Sequence, residues 1–102
     1  MNNFDLTKYK FFKELTKFDF VERIILFGSR ARRDNLERSD IDIAIVCPEA
    51  TDKEWLSLLD CIENADTLLK IDCVRFDTLV DNTDLKNNIK SEGLEVYVKT
   101  NS

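Results

Sequence analysis

Two stretches decide how this chain folds: Val21-Glu22-Arg23-Ile24-Ile25-Leu26-Phe27-Gly28-Ser29 and Asp40-Ile41-Asp42-Ile43-Ala44-Ile45-Val46. Each is β-branched and apolar enough to read as a strand. Gly28 stops the first, and Cys47-Pro48 ends the second. Residues 30–38 between them, RARRDNLER, are polar and basic and suit a short helix followed by a loop. So short a connection returns the chain at the same end of the sheet and predicts antiparallel neighbours. Side chains alternate along a strand, so Asp40 and Asp42 share one face while Ile41, Ile43 and Ile45 take the other.

Outward from this pair, residues 6–19 read as a helix, with Phe11, Leu15 and Phe18 at i, i+4, i+7. Phe12 and Tyr9 widen its apolar arc beyond the stripe a surface helix needs for its own core. Two readings stay open. The surplus is wrapped by the termini, including Phe4, or it is an exposed patch that marks an interface. On the other side, Thr51-Asp52-Lys53-Glu54 is a capping box, and Trp55, Leu58, Leu59 and Ile62 give the helix it opens one buried stripe. Residues 69–76 form a third strand, which a right-handed crossover makes parallel to the second. Thr83 or Asp84 caps a further helix with Leu85 and Ile89 inward and Gly93 at its end, and residues 95–98 make a last strand at an edge. The expected fold is α+β in two layers, a small mixed β-sheet with helices mainly on one face, in a single domain over residues 1–102. Asp72, near the start of strand three, should sit beside Asp40 and Asp42 and close to the Gly28-Ser29 turn.

Composition narrows the chemistry. The chain has 102 residues, with 15 Lys and Arg against 20 Asp and Glu, for a net charge of −5. That balance argues against binding DNA or RNA through a broad basic face. No apolar run is long enough to span a membrane, and the start MNNFDLTKYK lacks a signal-peptide core, so a cytoplasmic protein is expected. Cys47, Cys61 and Cys73 lack paired spacing and read as reduced thiols. There is no histidine, which excludes Ser-His-Asp and Cys-His catalysis and His-ligated zinc. Chemistry here must run on carboxylates, hydroxyls, cations and bound metal.

Asp40 and Asp42, with Cα atoms roughly 6–7 Å apart and joined by Asp72, repel one another unless a counter-charge is present. Carboxylate oxygens favour Mg²⁺ or Mn²⁺, and a pair of such ions about 4 Å apart suits in-line attack at phosphorus. Alone, an Asp-x-Asp is also an ordinary solvated strand start. Gly28 permits close backbone approach to a phosphate, and Ser29 offers a hydroxyl and an N–H at the start of the following turn. Arg30, Arg32 and Arg33 concentrate positive charge beside it, as phosphate contacts or as a solubilising loop.

Gly28-Ser29, ten residues, then Asp40-x-Asp42 with a later strand Asp resembles the nucleotidyltransferase superfamily of the DNA polymerase beta type. The string GSRARRDNLERSDIDIAIV (residues 28–46) is similar to the minimal nucleotidyltransferases, several of which are antitoxins beside HEPN-domain toxins. The resemblance covers residues 20–98. It implies that Gly28, Ser29 and Arg30 bind the nucleotide, and that Asp40 and Asp42 bind metal bridging to the phosphates. Asp72 would complete the metal site and help deprotonate the acceptor. Arg33 departs from the pattern, because many relatives have Gly there.

On this resemblance the expected function is Mg²⁺-dependent transfer of AMP from ATP to a hydroxyl of a partner protein. The partner would be a HEPN-type toxin encoded nearby, held in a hetero-oligomer, with no membrane or DNA contact. Two alternatives stand beside it. One is nucleotidyl transfer to a small molecule or RNA with a partner subunit completing the pocket; the other is a non-catalytic antitoxin that binds its partner.

Overall fold

In the computed structural model, which describes residues 4–100, the strands β1 (Arg23–Phe27), β2 (Ile41–Val46), β3 (Ile71–Arg75) and β4 (Leu94–Val98) form one sheet in the order β3-β2-β1-β4. The β1–β2 and β1–β4 pairs are antiparallel and β2–β3 is parallel; the β1–β2 and β2–β3 directions are those that connection length and crossover handedness predict. The last strand lies at an edge, beside β1.

Alternation along the strands divides the interior in two. Ile24 and Leu26 of β1 and Ile41, Ile43 and Ile45 of β2 face α1 (Lys10–Leu15) and α3 (Asp52–Glu63), which supply Phe11, Phe12, Leu15 and Leu58. Ile25, Phe27 and Ala44 point the other way and are covered by Ile89 of α4 (Asp84–Glu92), with Phe76 and Leu79 alongside. The main core thus lies on one face and a smaller one, under α4, on the other. Leu85, expected inward, is 40% exposed, and Ile89 alone fills α4's buried position.

The first helix differs from the expected single run. A 3-10 turn, Leu6–Lys8, is broken at Tyr9 (ψ 141), and α1 starts afresh at Lys10. Tyr9 provides no side-chain cap; instead Asp66 accepts from the N–H groups of Lys10 and Phe11, both at 3.0 Å, and caps the helix from across the chain. Phe11, Phe12 and Leu15 are buried and Tyr9 stacks against Phe4 and Phe11, so the wide apolar arc belongs to the core. A domain of this size uses every aromatic it has.

The remaining elements follow local chemistry. Thr51 and Glu54 form the reciprocal capping box, and Thr83 caps α4. Gly93 ends α4 in extended backbone, and the residue must be glycine for lack of space: a Cβ there would overlap the Ile89 carbonyl and the Ile25 side chain.

Candidate active site

The carboxylates meet where β2 and β3 begin. Asp42 is paired in register with Phe27 of β1 on one side and Asp72 of β3 on the other, so one row crosses three strands. Both carboxylates lie on the face that α4 covers, since Ala44 and Val74 two residues further on belong to that smaller core. Asp42 is half-buried, and its carboxyl is held above the ordinary range. Burial is the first cause, the negative charge of Asp72 the second and that of Asp40 the third. Asp72 Oδ1 lies 3.5 Å from Lys70 Nζ.

The turn that follows β1 closes over this row. Gly28 takes φ +73, and a Cβ there would overlap Asp42 Oδ2. Glycine therefore serves twice, permitting the left-handed backbone and leaving room for a carboxylate. Ser29 opens the short helix α2 (Ser29–Arg32). Ser29 and Asp40 are both partly exposed, so their polar atoms remain accessible at this sheet end.

The three arginines divide. Arg30 is buried; its Nε and Nη2 donate to the Ser39 carbonyl at 3.2 and 2.8 Å, and Nη2 also donates to the Glu37 carbonyl at 3.2 Å. Its guanidinium stacks 4.3 Å above the Phe4 ring. In this arrangement Arg30 fastens the loop that delivers Asp40. Arg32 bridges Asp34 (3.0 Å) and Glu92 at the end of α4 (3.3 Å), and its charge favours the ionised form of Asp42. Arg33 ends α2 at φ 65, ψ 27, the left-handed region.

The donor set is all oxygen, which suits a hard divalent ion such as Mg²⁺ or Mn²⁺. Burial first, and then the charges of Asp72 and Asp40, raise the proton affinity of Asp42, and a bound cation would offset the charge part. The residues fit that group in kind. Among the described residues, however, no three carboxylates or thiols are close enough to form a ready-made cage. Asp42 and Asp72 are the adjacent pair, and Lys70 competes for Asp72.

With this geometry in view, the match of residues 10–102 to the family described as "Polymerase beta, Nucleotidyltransferase" is decisive. The chain belongs to the polymerase beta nucleotidyltransferase family. No curated protein sequence matches it. Among solved structures, a toxin–antitoxin with AMP-PNP is similar at a TM-score of 0.60 and 21% identity, over 87% of this chain and 72% of that one. A variant of the toxin–antitoxin MntA-HpeT is similar at a TM-score of 0.65 and 21% identity, over 95% of this chain and 75% of that one. These likenesses place the nucleotidyltransferase on a shared fold. Among its described residues no helix is long and apolar enough to cross a membrane.

Sequence reading missed three contributors. Lys70 pairs with Asp72, Glu92 with Arg32, and Asp66 caps the first turn of α1; the last two meet partners 60 and about 55 residues away along the chain. Only for Lys70 was a signal present, its i, i+2 spacing from Asp72.

Proposed function

We propose that this nucleotidyltransferase transfers AMP from ATP to a hydroxyl of a partner protein, and that it serves as the antitoxin of a pair whose toxin is of the HEPN type. The observation that carries the reading is the Asp42–Asp72 pair lying directly beside the Gly28-Ser29 turn, within a polymerase beta nucleotidyltransferase domain. The toxin–antitoxin with AMP-PNP among the structural neighbours supports an adenine nucleotide and a toxin as partner.

In this reading Gly28 and Ser29 hold the triphosphate through backbone N–H and hydroxyl donors. Asp40, Asp42 and Asp72 would hold Mg²⁺ once drawn together around it, and the ion when bound would supply charge neutralisation at the phosphate oxygens. The acceptor oxygen attacks the α-phosphorus, the bond from that phosphorus to the bridging oxygen breaks, and pyrophosphate leaves with the electron pair. Asp72 takes the acceptor proton. Arg30 acts by keeping Asp40 in place.

The test is incubation of the full chain with α-labelled ATP, Mg²⁺ and the product of the neighbouring gene. Label on that protein, lost in Asp42→Asn, is the expected result. Label on RNA or a small molecule, or none with ATP bound, overturns the reading.

A further inference from the structure

The proposed transfer leaves open where the acceptor enters, and in-line displacement at phosphorus restricts the answer. Attacking and leaving oxygens stand on opposite sides of the reacting phosphorus. If the leaving pyrophosphate sits at the Gly28-Ser29 turn after β1, the acceptor must arrive from the β3 side. The row Phe27, Asp42, Asp72 gives that direction, since β1 and β3 flank β2. Two interstrand steps, about 10 Å in all, separate the two sides.

A shallow cavity of about 500 Å³ opens on that side, lined by Glu37, Arg38, Asp40, Leu68, Leu69 and Lys70. Its walls are two loops, joined at the base where the Ile41 N–H donates to the Lys70 carbonyl at 2.8 Å. Asp40 belongs to its wall, which connects the cavity to the carboxylate row. Leu68 is fully exposed, and Leu36 on the opposite loop is 78% exposed. Arg38 is exposed and makes no ion pair or hydrogen bond among the described residues.

We propose that this groove is the acceptor site and takes a polypeptide segment presenting a hydroxyl side chain between an apolar and an acidic residue. The apolar residue covers Leu68, the acidic one pairs with Arg38, and the hydroxyl between them reaches toward Asp72. Exposed leucine beside an unpaired cation is the composition of a protein interface. A nucleic acid strand would need a continuous basic track, which Glu37, Asp40 and the net charge of −5 deny it. The balance is that of the proposed transfer, on which this inference rests: an oxygen–phosphorus ester forms, pyrophosphate departs, and the hydroxyl proton passes to a carboxylate.

The experiment uses the full chain, α-labelled ATP, Mg²⁺ and synthetic twelve-residue peptides. Each peptide has one Tyr, Ser or Thr, with Leu on one side and either two Glu or two Lys on the other. A 3′-hydroxyl RNA oligonucleotide is included as the competing acceptor. The Glu peptides should be labelled at least ten-fold faster than the Lys peptides. Arg38→Glu should invert that preference, Leu68→Ser should lower labelling of both, and neither should change the ATP·Mg²⁺-dependent rise in Tm. Equal labelling of Glu and Lys peptides, indifference to both substitutions, preference for RNA, or no labelled peptide while ATP·Mg²⁺ still raises Tm overturns the groove alone. Absence of any ATP·Mg²⁺ effect on Tm overturns the nucleotidyl-transfer reading itself.

Discussion

Asp42 and Asp72 face each other in register across the parallel β2–β3 pair, so two carboxylates share one side of the sheet where it meets the Gly28 turn. A fold optimised for stability alone would not hold them there without a closer counter-charge than Lys70 offers.

Asp42→Asn tests the row itself. Asp42 binds its proton more tightly folded than at its ordinary value of 3.8. Its contribution to stability is therefore present below that value and lost as pH rises through the folded pKa. The Asn variant should melt above the native protein at pH 7, with the difference vanishing as pH falls below 3.8. Its Mg²⁺-dependent rise in Tm should disappear. Melting curves across pH, with and without Mg²⁺, would sink the assignment if the two proteins tracked each other throughout.

Ser29→Ala separates the turn's chemistry from its shape. Ser29 is partly exposed, and the turn geometry rests on the backbone of Gly28. Loss of a charge-assisted hydrogen bond to phosphate costs roughly 1.5–3 kcal/mol, about 10- to 150-fold in ATP affinity or turnover. Tm in the absence of ATP should barely move. Calorimetric titration with ATP·Mg²⁺ beside a melt checks both halves.

Arg30→Met removes the clamp on the loop before Asp40. The buried guanidinium gives three donor–acceptor contacts to the Glu37 and Ser39 carbonyls. Leaving those carbonyls unpaired should cost roughly 2–3 kcal/mol, on the order of 10–20 °C in Tm for a domain of this size. Arg30→Lys should recover only part, because an ammonium cannot reproduce the planar fork. Faster amide exchange over residues 36–40 would accompany the loss; unchanged exchange there would show that Arg30 does not hold the loop.

Arg33→Gly addresses the departure from the family pattern. Arg33 occupies φ 65, where an L-residue pays about 1 kcal/mol that glycine does not. The Gly variant should gain up to about 1 kcal/mol, the flexibility of glycine in the unfolded chain offsetting part of the relief. Arg33→Val, β-branched, should lose a similar amount. A less stable Gly variant would show that the interactions of the Arg33 side chain outweigh its backbone strain.

Much of this protein was legible in its sequence because the deciding signals are local. Loop length made β1 and β2 antiparallel neighbours, and Thr51 and Glu54 announced their helix at a spacing of three residues. The parallel β2–β3 pair and the nearness of Asp72 to Asp42 followed from handedness and connection length, whereas the place of β4 beside β1 did not. Local signals failed at residues 6–19, where apolar periodicity runs through Tyr9 although the backbone breaks there.

By itself, then, the sequence determined the alternation of strands and helices, the common face of Ile41, Ile43 and Ile45 and the absence of histidine chemistry. Those properties depend on residues a few positions apart, or on composition alone. Only the tertiary structure decided that Arg30 turns inward to the 37–39 carbonyls, that Asp66 caps α1 from 55 residues away, and that Lys70 pairs with Asp72. It also decided that Phe12 belongs to the core. The reason is common to all four: each side chain has several partners of similar energy, and which one it meets is fixed only when distant segments are brought together.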